Sequence, residues 1–195
     1  MIRLFDVILS AIALLIFLPF LLLIALLIVF ESKGSPLFLF NRVGKNGQEF
    51  ILWKFRSMYL GAEKKGFLTV GHRDARVTRT GYFIRKYKLD EVPQLINVLK
   101  GDMSLVGPRP EVKKYVDLYS PEQRIVLSIK PGITDYASIK YRHENEILAN
   151  SKEPEKTYIE EILPEKIQLN KIYIQNQSLK QYFKIIGLTM VNIFK

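Results

Sequence analysis

Residues 7–30 form an unbroken run of 24 positions in which only Ser10 and Pro19 are not strongly apolar. As a helix such a run is long enough to cross a hydrocarbon core of about 30 Å. A secretory signal fits less well, because the run exceeds the usual apolar region and lacks a convincing small-residue cleavage site. Pro19 divides it into residues 7–18 and 20–30, each worth roughly 16 to 18 Å of helix at about 1.5 Å per residue. Proline removes a backbone donor and crowds the preceding turn, and in lipid the freed carbonyl has to be answered from within the protein. Two geometries follow: a kinked span, or a bent helix that enters one leaflet and returns. Arg3 flanks one end and Lys33, Arg42 and Lys45 follow the other, so both ends suit the cytoplasmic side.

After Glu31 the periodicity changes. PLFLFN (36–41) and EFILWKFRSM (49–58) are β-rich and enclose RVGKNGQ, whose Asn46-Gly47 is a tight-turn signal; a β-hairpin is predicted. LDEVPQLINVLKG (89–101) predicts a short helix with Asp90 as N-cap, Pro93 in the first turn and Gly101 as the stop. SPEQ (120–123) has the form of a capping box with proline at the first helical position. KPGIT (130–134) reads as a turn, and residues 153–171 as a polar helical region interrupted by Pro164. In residues 178–195, Leu179, Tyr182, Phe183, Ile186, Met190, Val191, Ile193 and Phe194 make a broad apolar face, suited to core packing or to a helix lying in the membrane interface. The pattern describes a membrane-associated mixed α/β (α+β) chain: a hydrophobic segment at 1–32 and a globular domain at 33–195.

Composition narrows the chemistry. A length of 195 residues suits one domain. There is no cysteine, which excludes disulfides, thiolate zinc sites and cysteine nucleophiles. His72 and His143, the only histidines, are far apart and lack partners at metal-ligand spacing. A formal charge of +10 favours polyanions, whether nucleic acid, anionic membrane or phosphorylated small molecules. The mean hydropathy of +0.06 conceals the division at Glu31. Gly44-Lys45-Asn46-Gly47 lacks phosphate-loop spacing and no GxGxxG occurs, so ATPase and dinucleotide readings lose their usual support.

Residues 72–88 hold Arg73, Arg76, Arg79, Arg85, Lys86 and Lys88 against one acid, Asp74. A solvated helix face accounts for most of these, although arginine is also the side chain best suited to grip phosphate. The adjacent carboxylates Asp90 and Glu91 follow at once; capping alone explains such a pair at a helix start.

Taken together, KLDEVPQLINVLKGDMSLVGPRP (88–110) resembles the signature of the bacterial small monotopic phosphoglycosyl transferases. The similarity extends upstream through the apolar leader, NRVG and KFRSM, and downstream through KPGIT. It implies transfer of a sugar phosphate from a UDP-sugar to a polyprenyl phosphate, usually undecaprenyl phosphate, with release of UMP, at the cytoplasmic face of the bacterial inner membrane. It also implies that the leader is a re-entrant helix broken at a proline, which Pro19 matches. Two departures stand out: Leu18 where the family often has serine, and DYASIKYR (135–142) where many members carry a Gly-Trp-Ala-Gln-Val type sequence.

By the same resemblance Asp90 is the nucleophile, forming a covalent aspartyl phosphosugar. Magnesium is the implied cofactor, with Asp90 and Glu91 as ligand candidates, and Glu91 acts on metal or acceptor phosphate. Lys54, Arg85 and Arg109 are the candidate phosphate contacts, Arg109 being stiffened between Pro108 and Pro110. No nucleic acid is expected on this reading. The rival is a membrane-anchored nucleic-acid-binding or regulatory protein that uses residues 73–88 as a phosphate-backbone footprint.

Overall fold

The computed structural model describes residues 1–62, 68, 70–71 and 74–193. His72, Arg73 and Phe194, named above, lie outside the described residues. Helix α1 (Ile2–Glu31) contains Pro19 within one continuous helix. The break expected at Pro19 is therefore not an interruption of helical structure. Proline withdraws only its own N–H from the ladder, and the bonds on either side can still close.

Both ends of α1 are fastened to the domain that follows. Near the start, Arg3 donates to the Val98 and Leu99 carbonyls at 2.5 and 2.9 Å. The carboxylate of Asp6 is buried and accepts from Ser104 Oγ, the Leu105 N–H and the Tyr182 hydroxyl. At the other end Glu31 accepts from the N–H groups of Arg79 and Thr80, while Ile24 and Ile28 pack on Phe55 and Ile84. Between these anchors most of residues 11–23 are exposed.

The predicted hairpin is present: β1 (Leu37–Val43) and β2 (Glu49–Phe55) pair antiparallel, with Leu37 opposite Phe55 and Val43 opposite Glu49. Asn46 and Gly47 take the positive φ that the turn requires. After α2 (Arg79–Lys86) comes a tight 3₁₀ turn, Leu89–Glu91, and then α3 (Gln94–Lys100), ended by Gly101 in the left-handed region. Asp90 is thus not the N-cap of the α-helix. The donor that a cap at Asp90 would most want belongs to position 93, which is proline and has no N–H.

Strand β3 (Ser104–Val106) pairs in parallel with β4 (Gly132–Thr134), so KPGIT is largely strand rather than turn. The SPEQ box forms reciprocally, Ser120 N–H to Gln123 Oε1 at 2.9 Å and Gln123 N–H to Ser120 Oγ at 3.3 Å, but it heads a 3₁₀ segment, Gln123–Leu127. The remaining helices are α4 (Lys113–Val116), α5 (Tyr136–Lys140), α6 (Glu144–Ala149), α7 (Pro154–Thr157), α8 (Leu163–Gln175) and α9 (Leu179–Ile193). Pro164 does not stop the helix: a π turn over Tyr158–Ile162 widens the backbone just before it, which relieves the clash of the ring with the preceding turn.

The main core gathers Tyr115, Val116, Leu148, Tyr158, Ile162 and Ile167. A second cluster joins Ile2, Phe5 and Leu9 of α1 to Val106, Tyr182 and Ile185. Helix α9 accordingly buries Tyr182 and Ile185 while Phe183, Met190 and Val191 stay exposed.

Candidate active site

Strand β2 brings Lys54 into position. Asn97, fully buried on α3, accepts from the Trp53 N–H at 3.0 Å and donates to the Ile51 carbonyl at 2.7 Å, fastening the strand to the helix. Side chains two apart on a strand share a face, so Lys54 stands on the face of Leu52, which packs against Val98 of α3. The Lys54 ammonium lies 3.6 Å from Asp90 Oδ2 and 3.0 Å from Glu91 Oε1.

The two carboxylates are delivered by an unusual turn. Lys88 has φ of 58°, a left-handed conformation that costs a non-glycine residue about 1–2 kcal/mol, and it launches the 3₁₀ turn that buries both Asp90 and Glu91. Burial lowers the Lys88 ammonium from the ordinary lysine value, opposed by Glu91.

Arg109 comes from the other side on a rigid support. Gly107 and Gly132 pass so closely that a Cβ on Gly132 would stand 2.1 Å from the Gly107 nitrogen, so VGPRP and KPGIT need these glycines for β3 and β4 to meet. The Arg109 N–H then donates to Asp135 Oδ2 at 3.0 Å, and Asp135 Oδ1 caps α5 through the Ser138 N–H. From this base the guanidinium grips Glu91 with both nitrogens, Nη1 to Oε2 at 3.0 Å and Nη2 to Oε1.

Burial pushes the Glu91 carboxyl up, but Arg109 and Lys54 overcome it and hold the group well below the usual carboxylate range. Glu91 in turn raises Arg109. The Arg109 side chain keeps 31% of its exposure, enough to meet a ligand from solvent. Beyond it, Glu111 is held by Arg42 at 3.5 Å and by the Tyr158 hydroxyl at 2.5 Å.

These groups line one cleft of about 680 Å³. The sequence-predicted Asp90, Glu91, Lys54 and Arg109 converge in it, and Arg85 lines its wall from α2; Pro19 is not among the lining residues. Sequence reasoning missed Lys88 and Asp135 as site residues. Lys88 ends the basic run 72–88 and opens the 88–110 motif, and Asp135 stands directly after KPGIT; those positions were their only signal. Among the described residues no three acidic or histidine side chains converge to hold a metal by themselves.

A family model described as bacterial sugar transferase matches residues 1–195. The chain is 44% identical over 137 residues to a UDP-N-acetylgalactosamine-undecaprenyl-phosphate N-acetylgalactosaminephosphotransferase of Aeromonas hydrophila, covering 69% of this chain and 32% of the relative. It is 36% identical over 194 residues to a UDP-glucose:undecaprenyl-phosphate glucose-1-phosphate transferase of Caulobacter vibrioides, covering 98% of this chain and 68% of the relative. With an uncharacterized sugar transferase of Bacillus subtilis it shares 40% identity over 189 residues, 96% of this chain and 84% of the relative. The chain therefore spans about a third of the Aeromonas protein and about two thirds or more of the other two.

Proposed function

The chain belongs to the bacterial sugar transferase family and is a transferase, and from that premise we propose that it moves a sugar phosphate from a UDP-sugar to a polyprenyl phosphate, with Asp90 as the nucleophile. The observation that carries this reading is the buried Asp90 carboxylate, 3.6 Å from Lys54 and beside a Glu91 already clasped by Arg109, in a cleft large enough for a nucleotide sugar. Relatives named for UDP-sugar donors and undecaprenyl phosphate acceptors support the substrate classes.

An Asp90 oxygen attacks the sugar-linked phosphorus of the donor. The bond from that phosphorus to the UMP oxygen breaks, UMP leaves with the electron pair, and an aspartyl phosphosugar remains. An oxygen of the acceptor phosphate then attacks the same phosphorus, the bond to Asp90 breaks, and the carboxylate is regenerated. Dividing the transfer lets a soluble donor and a lipid acceptor use one nucleophile in turn.

Lys54, Lys88 and Arg109 place three cations around two carboxylates, a surplus that suits the charge of a diphosphate. Glu91 orients Lys54 and Arg109 rather than reacting. A magnesium ion would supply charge neutralisation at the diphosphate and leaving group. Asp90 fits a cation that takes one or two carboxylates and completes its shell with phosphate oxygens. Glu91 fits poorly, since both its oxygens are engaged by Arg109.

The same reading makes the protein monotopic, with residues 1–32 as a re-entrant membrane segment and the rest as a catalytic domain on the cytoplasmic face of the bacterial inner membrane. The fastening of both α1 ends to one domain, around an exposed apolar middle, supports it. A helix crossing the bilayer would carry one of those ends to the far side.

The test is UMP release by the purified protein with magnesium, undecaprenyl phosphate and a panel of UDP-sugars that includes UDP-glucose and UDP-N-acetylgalactosamine. Sugar-dependent release that Asp90→Asn abolishes is the expected result. Release that persists in the folded variant removes Asp90 from the chemistry.

A further inference from the structure

We propose that the apolar mouth of the cleft, built by Phe38, Met58, Tyr59 and Leu60 beside the end of α1, receives the isoprenoid chain of the acceptor and sets the preference for it; this inference rests on the transferase reading above.

Residues 59–62 form a tight turn, closed by the Ala62 N–H to the Tyr59 carbonyl at 3.2 Å with Gly61 at φ of 80°. Turn tips ordinarily carry glycine, proline, asparagine, aspartate or serine. This one presents Tyr59 at 50% and Leu60 at 70% exposure. It is also firmly tied down, by the Tyr59 N–H to the Arg76 carbonyl at 2.9 Å and by the bridge between Met58 and Val77.

The turn stands where the membrane helix leaves the domain. A Cβ on Gly34, just past α1, would lie 3.4 Å from Leu60 Cδ1. Arg56 donates to the Ser32 and Lys33 carbonyls at 2.6 Å each, holding that exit against β2. The exposed apolar surface of α1, including Leu27 and Phe30, thus leads onto the exposed Leu60 and Tyr59.

Inward from this lip, polarity changes in a fixed order. Phe38 is the register partner of Lys54 across the hairpin, and Lys54 is the cation that touches Asp90 and Glu91. Apolar lip, cation and nucleophile follow one another, which matches a molecule with a hydrocarbon tail and an anionic head arriving from the bilayer. The cleft is also lined by the polar Ser138, Arg142, Asn145 and Lys166, groups that suit the nucleotide. A UDP-sugar has no hydrocarbon segment to cover the lip.

The two half-reactions separate the tests. Exchange of labelled UMP into the UDP-sugar needs no acceptor, whereas full transfer does. Leu60→Gln is expected to leave exchange unchanged and to raise KM for undecaprenyl phosphate roughly tenfold or more, the scale of burying one leucine side chain. It should also narrow the preference for undecaprenyl phosphate over a two-isoprene phosphate, while Leu60→Ile restores both. Normal exchange with an unaltered acceptor KM and unaltered chain-length preference overturns the proposal, including the case in which Leu60→Gln weakens only flotation with phospholipid vesicles. Absence of exchange in the unsubstituted protein with every donor overturns the transferase reading itself, and this assignment with it.

Discussion

The hydroxyl of Tyr182 donates to Asp6 Oδ1 at 2.9 Å, joining the first turns of the apolar helix to α9 across 176 positions of sequence. The same carboxylate oxygen takes the Ser104 hydroxyl and the Leu105 N–H, so a single buried acid holds α1, β3 and α9 together. Asp6→Asn replaces a charged acceptor of three donors with a neutral amide. A loss of about 1.5–3 kcal/mol is expected, read as a lowered thermal midpoint in detergent, whereas Tyr182→Phe should cost less because the other two donors keep their partner.

Breaking the Glu91–Arg109 clasp unbalances a largely buried cluster of charges in which Glu91 also pairs with Lys54 at 3.0 Å. Glu91→Gln and Arg109→Met are each expected to destabilise by about 2–4 kcal/mol, with the double variant losing less than the sum in a denaturation cycle. Glu91 is held below its unfolded value, so its contribution is complete above the ordinary glutamate value of about 4.3 and disappears only as pH falls through the lower folded value. The stability gap between wild type and Glu91→Gln should therefore persist below the ordinary glutamate range before closing.

Asp135 acts through another residue. It fixes the Arg109 backbone and caps α5, so Asp135→Ala is expected to cost about 1–2 kcal/mol in stability and to lower kcat/KM for the UDP-sugar. Asp135→Asn keeps one acceptor oxygen and puts an NH2 donor in place of the other, so it can hold only one of the two N–H groups and should recover only part of the losses. Equal damage from the two variants would mean that one remaining acceptor is not enough to position Arg109.

Lys88 gives the alkaline side its own signature. Burial lowers its ammonium, so it sheds its proton at a lower pH than an unfolded lysine at about 10.4. Activity that needs this charge falls as pH rises through the lowered value. Stability moves the other way, because between that value and the unfolded one the unfolded chain binds the extra proton. Lys88→Arg, always charged, should push the alkaline limb of the kcat/KM profile upward.

Topology can be read directly, because the chain has no native cysteine. Leu4→Cys and Ser35→Cys, both at exposed positions, are expected to react with a membrane-impermeant thiol reagent from the same side of sealed vesicles. Reaction from opposite sides would make α1 a span.

What the sequence revealed was local. The apolar helix, the Asn46-Gly47 hairpin, the Gly101 stop and the Ser120–Gln123 box each depend on neighbours within a few positions, and each is present. The β3–β4 pairing was hidden because three-residue strands are defined by a distant partner, so Pro131-Gly132 read as a turn. Asp90 was misread as a cap because its neighbourhood suggested a helix start, while Pro93 removes the donor that a cap needs. Lys88 and Asp135 owe their roles to an unusual φ and to a backbone contact 26 positions away. Neither leaves a compositional trace.

The pairing of Asp6 with Tyr182 also sets an order of events in biosynthesis. At about 5–20 residues per second, roughly ten seconds or more of translation separate the two side chains. Ser104 and Leu105 emerge well before Tyr182, so for the later part of that interval the acid lacks only its third donor. The first turns of α1 can be moored to residues 98–105 early, while their link to α9 waits for a segment made long after the helix it holds.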